Sequence, residues 1–363
     1  MSQLITSSTI NIKDLKKFIE NVFMAFNVPK NKARIAADVI VTADVRGIQS
    51  HGCTRIIPFY LPLIIDKVVK IEEDPKLTLK HSNITYINAN KSLGFSTSYE
   101  AMNNSIEVAK ECNLGVTFVT NSTHFGIASY YSMMAAKKNL IGITITNGSP
   151  AVVAPGGKDS FLGTNAVSVA FPNPNNQPLV MDIALSITSL GNLFLEIEKE
   201  KEVPAKWAAA SFLEDNQLSS NTKIDPRALY ESRMIASLGA GDKKGEYKGF
   251  QLGLLVDILM AVLGGGKFSF EQSKGEAVHL FIAIKPHIDN NKSNYADAFL
   301  RLEKQFRNYE VIEGYERLRM PGERSNHLEN IAIQNGIKID SRMKSVLSEL
   351  SAVSGVSLNT LHI

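Results

Sequence analysis

The apolar period of this chain changes twice, and that switch restricts its fold more than any other feature. Leu15, Phe18, Ile19, Val22, Phe23 and Phe26 recur at helical spacing and stop before Pro29. A second helix follows over about 30–46, with Ala33, Ala37, Ile40 and Ala43 as a small-residue stripe suited to close packing, and Gly47 ends it. The segment 56–69 is helical again, although Pro58 and Pro62 require a kink or a late start. From Lys76 the period shortens. Residues 77–79 and 85–87 read as strands, 96–112 as a helix, and 116–120 as a buried strand. With the helix carrying Tyr130, Met134 and Ala135 and the strand 141–146, this last strand forms a βαβ-like unit. Ligand-binding loops should leave the C-terminal ends of its strands. Further strands are expected at 166–171, 179–183 and 278–284, the last of them central, with a helix at 186–201. Beyond Asn291 the chain is helical and charged once more. The fold class is therefore α/β, with residues 1–75 and 292–363 forming a helical domain around an α/β region at 76–291.

Charge and cysteine usage exclude several classes. The formal charge of +3 comes from 39 basic and 36 acidic residues interspersed along the chain, with no basic block to neutralise a row of phosphates. Nucleic acid is not an expected partner. Cys53 and Cys112 are too few for a disulfide framework or a cysteine-ligated zinc site, and they suit a reducing, cytoplasmic setting. Residues 1–11 lack a charged stretch followed by an apolar core. The longest apolar run, 252–263, is interrupted by Asp257 and reads as a buried helix, not a membrane span.

One short connection concentrates the chemistry: Arg46-Gly47-Ile48-Gln49-Ser50-His51-Gly52-Cys53-Thr54-Arg55. It holds an imidazole, a hydroxyl and two guanidiniums, with glycines on both sides of Ser50-His51 that let the backbone aim them together. A solvated turn between two helices would explain Ser-His-Gly alone. A second histidine shifts the balance, because Thr123-His124-Phe125-Gly126 sits where a strand should release into a helix. The other histidines, His81, His279, His287, His327 and His362, lack cysteines or carboxylates at ligand spacing and read as structural or exposed, so no metal is expected. The weakly charged segment 147–165, rich in glycine and proline, has the character of a loop that folds over something.

Common catalytic machines are missing. There is no Gly-x-Ser-x-Gly elbow, no phosphate-binding Gly-x-x-x-x-Gly-Lys-Ser/Thr loop and no His-Glu-x-x-His helix. Gly239-Ala240-Gly241 with Gly245 is the nearest approach to a dinucleotide fingerprint, but it follows no strand and its third glycine is displaced. Carbonyl reduction and its reverse remain. A ketone oxygen receiving charge needs an acid of suitable pKa, for which His51 and His124 are candidates, and a 2-oxo acid needs its carboxylate held, for which Arg55 is placed.

These residues resemble a known family. Ser50-His51-Gly52-x-x-Arg55, Thr123-His124-Phe125-Gly126, Gly163-Thr164-Asn165, Lys248-Gly249 before an apolar helix, and Arg319-x-Pro321-Gly322-Glu323 occur in the order seen in type 2 malate/L-lactate dehydrogenases. That family also includes ureidoglycolate, sulfolactate and diketogulonate oxidoreductases. The resemblance covers nearly the whole chain. It implies NAD- or NADP-dependent interconversion of 2-hydroxy and 2-oxo acids such as malate, a non-Rossmann mixed-sheet oxidoreductase fold, and a homodimer. Residues 121–235 would form the dinucleotide-binding part.

By position in the motifs, His51 is expected to act as proton donor or acceptor and His124 as a second active-site imidazole, members of the family differing in which one has that role. Asp182 would join them by orienting a histidine. Ser50, Arg55 and Asn147 are assigned to the substrate. Pro178, Leu179, Val180, Met181, Asp182, Ile183 and Ala184, then Tyr247 and Lys248, then Gly322, Glu323 and Arg324, match segments that hold the dinucleotide. The chain departs from the common pattern at Leu185, where a hydroxyl residue is usual, and at Phe250-Gln251. Lys243, Lys244 or Lys248 is in reach of a 2′-phosphate in this reading. Alternative readings are a reductase of a cyclic imine or sugar-derived keto acid, and a dinucleotide-binding dimer without turnover.

Overall fold

Strand pairing decides where the long loops of this chain converge. A computed structural model describes residues 9–174, 177–213, 222–241, 245–286 and 293–361. The N-terminal part runs β1 (Thr9–Ile10), α1 (Ile12–Ala25), α2 (Lys30–Val45) and α3 (Leu61–Ile65). The Asn11 side chain caps α1 by accepting from the Lys13 amide. Then come β2 (Lys76–His81), β3 (Ile84–Asn88), α4 (Gly94–Cys112), β4 (Leu114–Thr123), α5 (Ala128–Ala136) and β5 (Ile141–Gly148). The small hairpin β6 (Val152–Val153) and β7 (Ser160–Leu162) precedes β8 (Val167–Phe171) and β9 (Leu179–Ile183). An excursion follows through α6 (Leu190–Glu198), β10 (Val203–Pro204), β11 (Lys223–Ile224) and α7 (Pro226–Ser232). The chain finishes with α8 (Glu246–Ile258), β12 (Glu276–Ile284), α9 (Ser293–Arg307), α10 (Glu323–Asn335), β13 (Ile337–Lys338) and α11 (Ser341–Ser354).

The main sheet is mixed, in the order β2-β3-β4-β12-β5-β8-β9, with β3 and β4 its parallel neighbours and every other pairing antiparallel. Strand β12 lies at the centre because Ala277 through Ile284 is nearly unbroken apolar sequence, which only a strand covered on both faces accommodates. Its position corrects the βαβ-like unit expected from β4, α5 and β5. Those two strands run the same way, but β12 pairs antiparallel to both and separates them. A doubly wound dinucleotide fold needs a run of adjacent parallel strands, and this sheet has none.

The chain ends meet. Strand β1 pairs antiparallel with β13, and α11 and α10 pack on α1 and α2. One apolar core runs from Phe18, Phe23 and Ile40 in these helices to Phe95, Tyr131 and Phe281 against the sheet. Helix α8 and the π-helical turn after it cover the sheet's other face through Val256 and Met260, packed with Phe118, Val278 and Leu280. Leu185 is buried in this second cluster.

The expectation of a wholly buried helix at 252–263 is corrected. Leu252, Leu255, Ile258, Val262 and Leu263 are exposed, Leu255 by 51% and Val262 by 69%. An all-round apolar pattern cannot say whether its second face meets its own chain or something else. The buried side of α8 carries Asp257, fully enclosed. Its Oδ1 accepts from Asn147 Nδ2 (3.0 Å), Asn165 Nδ2 (3.1 Å) and Ser269 Oγ (2.7 Å), and its Oδ2 from the Ser269 amide (2.8 Å). Lys243 and Lys244, with His287 and His362, lie outside the described residues.

Removing the Asp257 carboxylate leaves several buried donors without an acceptor. Asp257→Ala should lower the unfolding free energy by about 3 kcal/mol or more, seen as a drop in urea midpoint. A midpoint equal to that of the unchanged protein would show that the network is not structural.

Candidate functional site

The C-terminal ends of β4 and β5 open into a cavity of about 640 Å³. Its walls come from the Arg46–Arg55 connection, His124 to Ser129 after β4, the segment after β5, the edge strand β9, and the α6 and α7 excursion. The loop 147–165 therefore does fold over something, contributing Asn147, Gly148, Ser149, Ala151, Thr164 and Asn165 to the lining.

The connection is shaped from below. Asp44, near the end of α2, accepts the Cys53 amide at Oδ2 (2.8 Å), and a Cβ on Gly52 would lie 1.8 Å from Asp44 Oδ1. Only glycine allows the chain to pass so close, and it separates two 3₁₀ turns, Gln49–His51 and Cys53–Arg55. Burial pushes the Asp44 carboxyl up to about 6 against the lowering effect of that amide. A π-helical turn, Ile56–Tyr60, then carries the chain into α3, which is how Pro58 and Pro62 are accommodated.

His51 and His124 come together from distant parts of the chain, their rings stacked at 5.7 Å between centroids and 17° between planes. Their second nitrogens are held differently. His51 Nδ1 is 2.9 Å from the Ser50 hydroxyl. His124 Nδ1 is 3.2 Å from the Gly126 amide and 3.0 Å from the Tyr60 hydroxyl. An amide N–H only donates, so His124 Nδ1 must accept, and the ring carries its proton on Nε2. Burial, then Arg55, lowers His51 to about 4. Burial, then His51, Arg55 and His279, takes His124 well below the ordinary imidazole value. Both rings are neutral at neutral pH.

Arg55 is buried beside them, its guanidinium carbon 4.8 Å from the Phe59 ring centroid and 5.5 Å from that of Phe194. Its Nη1 has no hydrogen-bond partner and no carboxylate pairs with it among the described residues. An enclosed cation left in this state is matched to an anion that arrives from outside. Arg46, by contrast, is engaged by Glu329 and by Asn326 Oδ1.

Two residues with expected roles are engaged by hydrogen bonds within the chain. Asn147 was assigned to the substrate, but its Nδ2 donates to Asp257 and the Lys267 carbonyl, while its Oδ1 accepts from Gln272 and the Val278 amide. No polar capacity is left, and Asn147 supports the cavity floor. Asp182 was expected to orient a histidine. Its Oδ2 instead accepts the Ser129 amide at the start of α5 (3.0 Å), and the histidines are oriented by Ser50, Tyr60 and Gly126. Asp182 still lines the cavity, and although its side chain reaches that open space, the surrounding protein raises its carboxyl by desolvation.

The residues matched to dinucleotide binding divide by geometry. Strand β9 alternates, so Val180, Asp182 and Ala184 face the cavity while Met181 and Ile183 lie exposed on the other side. Pro178 and Leu179 precede the lining residues, and the Pro178 carbonyl accepts from Asn326. Gly322 lines the cavity at φ 81°, with Val180 O 2.9 Å from where a Cβ would sit. Its neighbours do not line it. Glu323 is bound by Arg307 and Arg317, and Arg324 is exposed. Tyr247 and Lys248, at the start of α8, also lie outside the cavity of a single chain.

Sequence reasoning missed Phe59, Tyr60, Phe194, Ser129, Tyr230 and Arg233. Tyr60 and Phe59 could not be placed because the π turn breaks the helical period that would have related them to Arg55. The others sit on elements read without any functional signal. His279 proves structural, as expected: it is fully buried, with Nε2 on the Thr123 carbonyl, Nδ1 on Thr146 Oγ and its ring stacked on Phe125 at 4.4 Å.

Comparison with known proteins matches the family described as malate/L-lactate dehydrogenase over residues 10–348. Among relatives, an L-sulfolactate dehydrogenase of Methanocaldococcus jannaschii is 31% identical over 351 residues, covering 94% of this chain and 96% of that protein. A malate dehydrogenase of Pyrococcus horikoshii is 30% identical over 348 residues, covering 94% of each. The crystal structure of malate dehydrogenase from Entamoeba histolytica superposes with a TM-score of 0.88 at 26% identity, covering 97% of this chain and 99% of that one.

If Arg55 depresses the neighbouring imidazole as the geometry requires, Arg55→Met should raise the His51 pKa from about 4 toward the ordinary 6.5. NMR titration of the ring protons reads this directly. A value that stays put would mean that burial alone sets it.

Proposed function

Since the chain belongs to the malate/L-lactate dehydrogenase family, matched over residues 10–348, we propose that it is an NAD(P)-dependent dehydrogenase interconverting a small 2-hydroxy acid, malate or one like it, and its 2-oxo acid. The observation that carries this reading is the stacked pair of neutral imidazoles beside an unpaired, buried guanidinium. Arg55 receives the substrate carboxylate, and the two rings receive the oxygen on the neighbouring carbon.

A nicotinamide dinucleotide fits the residues present. The cavity, about 640 Å³, is within the range of small-molecule sites of roughly 300–1,000 Å³. The cradle at Gly322, with the Val180 carbonyl 2.9 Å from where a Cβ would sit, has no room for a side chain. Val180, Asp182, Ala184, Ser129 and Gly322 would hold the cofactor, and it would supply or accept the hydride at the substrate carbon.

The chain's own part is to hold and move one proton. His51 and His124 differ in the partner on Nδ1, and that difference assigns the roles. Ser50 Oγ can accept from His51 Nδ1–H in both the neutral and the protonated ring, so Nε2 is free to gain and lose the proton without loss of that hydrogen bond. The Gly126 amide cannot accept, so protonating His124 Nδ1 would set two N–H groups against each other. His51 is the acid/base, working through Nε2, and His124 is a fixed Nε2–H donor to the same substrate oxygen. Neutral His51 is ready to take the proton from a hydroxy acid. In the reverse direction, a bound carboxylate offsets Arg55, removes one cause of the depressed pKa, and lets the ring hold the proton it delivers.

A second copy of the chain covers the exposed apolar side of α8. Leu252, Leu255, Ile258 and Val262 recur at helical spacing, and Phe161 and Phe270, stacked at 5.1 Å, extend the patch. A surface of this kind is a liability for a monomer. No helix among the described residues is long and apolar enough to cross a membrane. Tyr247, at the start of the same helix, is exposed in one chain and adjoins this face.

Purified protein should oxidise NADH or NADPH with oxaloacetate or a related 2-oxo acid, followed at the nicotinamide absorbance. His51→Ala should lower kcat by about 10²-fold or more, while wild-type-like turnover would transfer the role to His124. Leu255→Glu with Val262→Glu should yield monomers by analytical ultracentrifugation, and an unchanged sedimentation coefficient would remove this face as the subunit contact.

A further inference from the structure

Arg233 is a second cation in the cavity wall for which the described residues supply no counter-charge. It follows α7 with φ at 57°, a left-handed conformation that suits glycine and disfavours arginine. Its Nη2 donates to Ser149 Oγ (2.9 Å) and, at 3.4 Å, to the Ser149 carbonyl, both neutral acceptors, and Nε is buried without a partner among the described residues. No carboxylate is within ion-pair distance of it among those residues. The left-handed turn is the C-cap of α7, its amide bonded to the Leu229 carbonyl, and it carries the guanidinium into the cavity wall.

Arg233, Tyr230 and Arg55 line the same cavity. Tyr230 adjoins it electrostatically, the Tyr230 ring is 6.4 Å from that of Phe194, and Phe194 lies under the Arg55 guanidinium. The other cations of the cavity are otherwise accounted for: Arg46 is bound by Glu329, and Lys274 is exposed. The anions in the lining do not neutralise Arg233 either. Glu276 pairs with Lys91 and Lys267, Asp182 takes the Ser129 amide, and Glu231 is exposed. Burial also lowers the Arg233 pKa, as expected for a guanidinium left without an anion.

We propose that Arg233, held by Ser149, is a specificity determinant that binds a second acidic group of the substrate, so that the preferred 2-oxo and 2-hydroxy acids are dianions. The assignment rests on the 2-oxo acid reading above and adds to it the charge of the substrate's far end. One guanidinium takes the carboxylate next to the reacting carbon, and the other takes the distal acid.

The test compares oxaloacetate with 2-oxobutanoate, which has the same carbon count but lacks the second carboxylate, at saturating cofactor. The intact protein should favour oxaloacetate in kcat/KM. Arg233→Gly removes the charge and relaxes the left-handed backbone, so loss of folding is not the expected result. It should reduce the oxaloacetate to 2-oxobutanoate ratio by about 30-fold or more, chiefly through the KM for oxaloacetate. Arg233→Lys should recover part of the ratio. An unchanged ratio in Arg233→Gly overturns the subsite while leaving the dehydrogenase reading intact. Equal losses on both acids with a raised KM for the cofactor overturn it too, by giving the guanidinium to the dinucleotide. Intact protein that reduces no 2-oxo acid overturns the dehydrogenase reading and the subsite together.

Discussion

A buried guanidinium with no carboxylate beside it governs the rest of the site. Arg55 is enclosed by Phe59 and Phe194, whose ring faces offset part of its desolvation, yet Nη1 remains without a partner among the described residues. Its charge is felt by both imidazoles, whose protonated forms it opposes. Burial is the larger cause of the rings' depressed basicity, and Arg55 adds to it. A carboxylate bound at Arg55 would remove one of the causes that oppose the protonated rings.

Everything that fixes Arg55 in place also fixes His51. Both hang from the two 3₁₀ turns that Gly52 joins, and Asp44 pins the joint by accepting the Cys53 amide. His124 arrives on the opposite wall at the end of β4, where His279 on the central strand holds the Thr123 carbonyl and Phe125 stacks on the His279 ring. The stacking of His51 on His124 thus joins the helical ends of the chain to the middle of the sheet. That is a contact between residues 73 positions apart (124 − 51), and it requires β12 to lie beside β4.

Most of the elements were legible in the sequence because their apolar periods are clean: α1, α4, β9 and the central β12 fall close to where the pattern puts them. The motifs were legible too, since Ser50, His51, Arg55 and His124 all line one cavity. What could not be read was pairing and polar capacity. The separation of β4 from β5 depends on a strand more than a hundred residues later. The four hydrogen bonds of Asn147 and the bond from the Ser129 amide to Asp182 depend on residues distant in sequence. Arg233 gave no signal at all, because a left-handed arginine is visible only in the backbone.

Helix α8 ties the cavity to the outside of the molecule. On its inner side Asp257 holds Asn147 and Asn165, both in the cavity wall, and on its outer side Leu252 and Leu255 stand in solvent. A helix with apolar residues on both faces is stable only when both are covered, and the sheet covers one. Movement of α8 would pull on the carboxylate that accepts from both asparagines, so the floor of the cavity is only as rigid as the seating of this helix. Covering its outer face with a second chain would hold that seating from the far side. Assembly would then contribute to catalysis by keeping the cavity floor in register, even without lending a residue to the chemistry.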